Sequence, residues 1–236
     1  MPLGLGDGLA VVVGGSGGIG SALVAHLSAV SPQVLSLGRH SAPALDLLRE
    51  DSIAHAADWL RTHAQAQGLP VRLVIDATGW LHGEGWMPEK SWRQLDAAHM
   101  AHAFALNAIG PALLMKHFLP ILPRQGRAVF ATLSAKVGSI GDNRLGGWYS
   151  YRAAKAALNQ LVRTAAIELA RSHPHAVCVA LHPGTVETAL SAPFARTGLT
   201  VRAPDEAAAR LLELLSTLDA SHSGSFLDPQ GQTLPW

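Results

Sequence analysis

Tyr151 and Lys155 stand four residues apart in Tyr151-Arg152-Ala153-Ala154-Lys155, heading a helical pattern that runs to about Arg171. Residues at this spacing share a helix face, so a phenol and an ammonium can enter one cleft. The chain has only two tyrosines, and Tyr149 has Ala153 at the same offset, so no second pair competes. A phenol titrates near 10, and general acid–base work near neutral pH requires its anion to be stabilised by about 4 kcal/mol. The neighbouring ammonium would supply part of that, and a cationic group on a bound molecule the remainder.

A second constellation lies near the start of the chain. Gly14-Gly15-Ser16-Gly17-Gly18-Ile19-Gly20 separates the β-branched run Leu9-Ala10-Val11-Val12-Val13 from a helical stretch, Ser21 to Val30. Small residues between a strand and a helix let the backbone approach a pyrophosphate, with the helix N-terminus facing the anion. The glycines permit three registers: Gly15-x-Gly17-x-x-Gly20, Gly14-x-x-x-Gly18-x-Gly20 and Gly14-x-x-Gly17-x-x-Gly20. The next strand ends in Ser36-Leu37-Gly38-Arg39, without the carboxylate that would take the ribose 2′-hydroxyl of NAD. Arg39 offers a partner for a 2′-phosphate, so NADP(H) is the expected cofactor.

Both constellations need rigid elements behind them. Further strands are expected at Val34 to Leu37, Ile53 to Ala56, Leu73 to Ile75, Ala128 to Leu133, Ala176 to Leu181 and Ser225 to Leu227. Helices are expected near 43–50, 59–67, 91–119, 151–171 and 205–218. This alternation predicts an α/β fold, a doubly wound (Rossmann-like) parallel sheet with helices on both faces, formed as one domain over residues 1–236. Hydrophobic residues make up 48% and charged residues 15%, which excludes a disordered chain. A net charge of +1 gives no field favouring nucleic acid. No apolar run is expected to approach the roughly 20 residues of a membrane span. The single cysteine, Cys178, fits a reducing, cytoplasmic setting.

Taken in order, these motifs resemble the short-chain dehydrogenase/reductase family over nearly the whole chain. The glycine loop is similar to the family's TGxxxGxG with Val13 in the threonine position, which assigns Gly14, Ser16, Gly18, Ile19 and Gly20 to the cofactor. Asp58, before Trp59, corresponds to the adenine-contacting acid that follows the third strand, and Asn107 to the helix asparagine that anchors a relay water. Tyr151 and Lys155 match the catalytic YxxxK pair. The segment Pro183-Gly184-Thr185-Val186-Glu187-Thr188 is similar to the PGxxxT stretch holding the nicotinamide carboxamide, implicating Pro183, Gly184, Val186 and Thr188. The stretch from Ser134 to Tyr151 and the chain end resemble the branch of C-factor- and sniffer-type carbonyl reductases.

Three departures accompany the resemblance. Asp76-Ala77-Thr78-Gly79 replaces NNAG, and Val13 lacks the threonine hydroxyl. The family's serine lies 13 residues before the tyrosine, whereas Ser134 lies 17 before Tyr151; Ser134 is favoured because it ends the strand as the family's serine does, and Ser139 is the alternative.

The resemblance implies a small carbonyl or alcohol substrate and a homodimer or homotetramer built from the 101–119 and 153–170 helices. The competing expectation is a nucleotide-binding signalling or regulatory protein with little turnover. Twelve histidines, including His99 and His102 three apart, lack companions at metal-ligand spacing, so no metal is expected. Trp80, His82 and Trp86 are expected either to line a substrate cleft or to cover the sheet edge.

Overall fold

Largely apolar runs become parallel strands, buried on both faces at the centre of the sheet. In the computed structural model, which describes residues 8–31, 33–194 and 201–236, these are β1 (Leu9–Val13), β2 (Val34–Leu37), β3 (Val71–Asp76), β4 (Ala128–Leu133) and β5 (Ala176–Leu181). Two short strands, β6 (Thr185–Val186) and β7 (Val201–Arg202), pair separately, and β8 (Phe226–Leu227) closes the main sheet. The sheet order is β2-β1-β3-β4-β5-β8, with every pairing parallel. The chain thus leaves β1 in opposite directions toward β2 and β3, and a crevice opens at the carboxyl ends of the strands where the direction reverses.

Alternation along the strands divides the interior into two cores. Val11, Val13, Val74, Phe130 and Cys178 face α2 (Glu50–Gln67), α4 (Gly110–Phe118) and α5 (Tyr149–Leu169). Ala10, Val12, Ile75, Val129 and Val179 face α1 (Gly18–Val30) and α6 (Pro204–Thr217). α3 (Ala97–Phe104) packs beside α5 at the crevice end.

Residues 39–67 depart from expectation. No strand forms at Ile53 to Ala56 and no helix at 43–50; α2 instead begins at Glu50 and runs unbroken to Gln67. Ile53, Ala56, Ala57, Leu60 and Ala64 are its buried residues, a 3.6-residue period that overrides the β preference of one isoleucine. Glu50 and Asp51 favour the N-terminal end, and Gly68 ends the helix in a left-handed conformation. Between β2 and α2 the chain makes an isolated parallel bridge, Gly38 to Ala44.

The expected 91–119 helix is also subdivided. A 3-10 turn (Trp92–Gln94) precedes α3, and a π turn (Ala105–Ile109) joins α3 to α4. The continuous stretch Ala97–Ile121, 25 residues long, is long and apolar enough to cross a membrane, contrary to expectation. In the fold it buries Ala103, Asn107, Leu114 and Phe118.

Candidate active site

The glycine loop works by leaving out side chains. Gly14 leaves β1 with φ of 81°, in the left-handed region that glycine adopts without strain. A Cβ on Gly20 would stand 2.1 Å from the Gly14 carbonyl oxygen, and one on Gly18 2.7 Å from the Thr188 methyl. A Cβ on Gly17 would make only ordinary contact at 3.4 Å. Gly15 is tight as well, since a Cβ there would stand 2.2 Å from Ser36 Oγ, so Gly17 alone among Gly15, Gly17, Gly18 and Gly20 has room for a side chain. Gly17 begins α1 without a side-chain cap, so the amides of its first turn remain available to an anion. Ser16 is exposed beside them, and Ile19 is half-buried against the α1–α6 core. This side-chain-free cradle fits the pyrophosphate of a dinucleotide.

The contact of Thr188 with Gly18 carries the Pro183–Thr188 segment to the same crevice. Gly184 makes its turn at φ of 84°, and Val186 is buried in β6. Arg39 is exposed just past β2, where no carboxylate stands between Gly38 and His40.

Asp58 requires correction. It lies within α2, its side chain 70% exposed and paired with Arg61 at 2.5 Å, so it follows no strand. The acid that does follow the extended segment after β2 is Asp46, half-buried, whose carboxylate accepts from the Leu48 N–H at 3.0 Å. Its neighbour Leu47 packs on Gly110 at the start of α4. The acid between two leucines in Leu45-Asp46-Leu47, just ahead of the acidic helix start, was the sequence signal.

At the other side of the crevice α5 presents Tyr151 and Lys155. The Lys155 ammonium lies 5.9 Å from the centre of the Tyr151 ring and donates to the Leu133 carbonyl at the end of β4, at 2.8 Å. Gly138 permits this approach, since a Cβ there would meet the Lys155 Cβ at 2.8 Å. A Cβ on Gly79 would lie 3.8 Å from both Lys155 Nζ and Asn107 Oδ1, so β3, the π turn and α5 converge at Gly79.

Asn107 is wholly buried, and its side chain makes three hydrogen bonds. Nδ2 donates to the Trp80 and Ala103 carbonyls at 2.7 and 3.0 Å, while Oδ1 accepts from Trp80 N–H at 2.9 Å. The amide thus satisfies a carbonyl in the π-turn region, where the regular helical ladder shifts, and clamps the loop after β3.

Burial sets the proton affinities. Lys155 is pulled down to about 8 by desolvation, opposed by the charge of Asp76. Asp76, fully buried, is pushed above the usual carboxylate range by desolvation, against hydrogen bonds from Thr78 and Thr132. Those donors stand at 2.5 Å (Thr78 Oγ1), 3.0 Å (Thr78 N) and 2.7 Å (Thr132 Oγ1). The departure from NNAG is therefore accommodated by two threonines. Desolvation pushes the Tyr151 phenol upward, so the lowering expected from the sequence needs the cationic group of a bound molecule beside Lys155.

The two candidate serines differ in what their hydroxyls do. Ser134 donates to Asn159 Oδ1 on α5 at 2.6 Å, and both residues are buried. Ser139 accepts from Asp142 N–H at 3.1 Å and keeps its own hydrogen available.

An aromatic wall flanks Tyr151. Trp148 lies edge-on to Tyr151 at 6.2 Å and to Phe194 at 5.1 Å, and Phe194 meets His82 at 5.4 Å. Trp80 and Trp86 instead pack with His99 and His102. Of the three expected cleft residues, His82 alone joins this ring series. Among the described residues no three His, Cys, Asp or Glu side chains cluster to hold a metal ion.

A parallel sheet with a side-chain-free loop after its first strand and a Tyr–Lys pair across the crevice define a dinucleotide-dependent oxidoreductase. The family profile described as short chain dehydrogenase matches residues 8–199, and the chain belongs to that family. It is 38% identical to C-signal of Myxococcus xanthus over 143 residues, 60% of this chain and 81% of the relative. It is 28% identical to 1-hydroxy-2-glutathionyl-2-methyl-3-butene dehydrogenase of Rhodococcus sp. (strain AD45) over 194 residues, 82% of this chain and 79% of the relative. Among solved structures, NADPH-bound carbonyl reductase from chicken fatty liver superposes with a TM-score of 0.82 at 26% identity, covering 98% of this chain and 100% of that one.

Proposed function

We propose that the protein is an NADP(H)-dependent carbonyl reductase, or the corresponding alcohol dehydrogenase in reverse, with Tyr151 as general acid–base. The observation that carries this reading is the half-buried Tyr151 phenol beside the buried Lys155 in the crevice that the glycine loop also enters. When bound, the nicotinamide supplies the hydride. Tyr151 donates its phenol proton to the carbonyl oxygen of the substrate. Lys155 favours the resulting phenolate and holds the nicotinamide ribose. Ser139, with its hydroxyl hydrogen free, is better placed than Ser134 to hydrogen-bond the substrate oxygen. Asn107 fixes the loop after β3 and in this reading anchors a relay water there. Arg39 would pair with the 2′-phosphate and Asp46, in place of Asp58, would contact the adenine. Pro183, Gly184, Val186 and Thr188 would hold the nicotinamide.

Assembly forms part of the reading. α5 packs on α3 and α4 of its own chain, yet Ile109, Leu161 and Ile167 remain exposed on these elements. A second copy covering that surface by two-fold symmetry makes a dimer, with every active-site residue contributed by one chain.

Similarity to C-signal supports a second reading, nucleotide binding without turnover in a signalling role. NADPH oxidation by the purified protein across a panel of ketones, aldehydes and quinones separates the two. Turnover with any carbonyl class supports the reductase. Tight NADPH binding with no turnover across the panel supports the second reading.

A further inference from the structure

Glu89 is a buried acid outside the machinery described so far, with 2% of its surface exposed. Its main chain and side chain both bind the first turn of α5. The Glu89 carbonyl accepts from Trp148 N–H at 2.5 Å. Its carboxylate accepts from Ser150 N–H at 3.2 and 3.3 Å and from the Ser150 hydroxyl at a still shorter separation. On its other side stands His99 of α3, with Nδ1 at 3.4 Å from Oε1. Ser150 is fully buried and directly precedes Tyr151.

Trp148, between these contacts, has φ of 53°, an unusual conformation for a bulky residue and one that persists only where its surroundings hold it. Gly146 and Gly147 precede it with φ of 62° and 66°, and a Cβ on Gly147 would approach the Glu89 carbonyl oxygen to 3.3 Å. α5 has no side-chain cap of its own. Glu89 supplies one from a distant loop, and the indole it helps to hold lies against the Tyr151 ring.

We propose that Glu89 is a positioning residue for the reaction: by capping α5 at Ser150 and holding Trp148, it fixes the Tyr151 phenol and the adjoining aromatic wall. The proposal rests on Tyr151 being the proton donor. Lys155, one turn further on, has its own anchor at Leu133, and the glycine loop lies elsewhere, so cofactor binding does not depend on Glu89. A misplacement of about 1 Å at a reacting group can cost a hundredfold in rate.

The test compares Glu89→Ala, Glu89→Gln, Ser150→Ala and Tyr151→Phe in one steady-state assay, with NADPH affinity and melting temperature measured for each. Glu89→Ala is expected to lower kcat about tenfold to a hundredfold while NADPH affinity stays within about twofold. Glu89→Gln, which keeps a carbonyl acceptor for Ser150 N–H, is expected to recover most of kcat. Ser150→Ala, which removes one bond and spares the other, should fall between them and serves if Glu89→Ala does not fold. Unchanged kcat in Glu89→Ala overturns the proposal. So does a loss of kcat, NADPH affinity and melting temperature in proportion, because that is the mark of a purely structural residue. A wild-type kcat in Tyr151→Phe would instead overturn the proton-donor reading itself.

Discussion

The two sides of the crevice are built on opposite plans. The cofactor side, Gly14 to Gly20, is made from what is missing: glycines that let backbone approach backbone, and amides left uncapped. The catalytic side is crowded with buried polar groups, Asp76, Asn107, Ser134, Lys155 and Asn159, nearly all tied to protein partners. The first plan tolerates little added volume, and the second tolerates little lost chemistry. One side should therefore fail in binding and the other in rate.

The largest effect expected is on the crowded side. Tyr151→Phe removes only the hydroxyl, and kcat should drop by about 10²- to 10⁴-fold with NADPH affinity nearly intact, as single-turnover rates and fluorescence titration would show. On the open side, Gly20→Ala brings a methyl into the Gly14 carbonyl, a backbone atom that cannot swing aside. Overpacking there should cost about 1–3 kcal/mol, read as weaker NADPH binding and a lower melting temperature. If kcat under saturating cofactor fell instead, the division between the two sides would not hold.

Arg39→Asp sharpens the comparison within the cofactor side, because this guanidinium is exposed and its interaction is partly screened. NADPH affinity should weaken by about tenfold, with NADH affinity unchanged or improved, by isothermal titration. Equal wild-type affinities for the two cofactors would remove Arg39 from its role.

The smallest effect concerns His182, which precedes Pro183. Burial holds this imidazole down to about 4, against an ordinary value of 6.5, and among the described residues its Nδ1 is a buried atom without a hydrogen-bond partner. The unfolded chain binds its proton first as pH falls, so stability from this group is complete above 6.5 and is lost on the way to 4. Between about pH 6.5 and 5.5 the loss is roughly 1 kcal/mol. His182→Gln should lose that much less over the same interval in urea denaturation. Parallel loss in both proteins would place the acid sensitivity elsewhere.

The open side was the easier to read from sequence. A strand, a glycine cluster and a helix follow one another within residues 9–30, and each element depends on neighbours in the chain. The Tyr151–Lys155 pair was legible because helical spacing alone brings the two to one face. What escaped depends on distant contacts. One isoleucine and a short apolar run suggested a strand where a 3.6-residue period belonged, which displaced the acidic residue from Asp46 to Asp58. The availability of the Ser134 hydroxyl is decided by Asn159, and the π turn by Asn107 bonds to Trp80. Glu89 gave no signal, because a single acid in a loop gains meaning only when α5 is brought to it.

The division of the interior into two cores has an evolutionary consequence. The layer formed by α1 and α6 lies beneath the glycine loop, and the layer formed by α2, α4 and α5 lies beneath the phenol. A sheet one strand thick separates them, so drift among the leucines of one layer need not be compensated in the other. Packing beneath the glycine loop and packing beneath the phenol can thus diversify on separate clocks within one lineage, and a randomised library confined to α6 would explore the first without erasing the second.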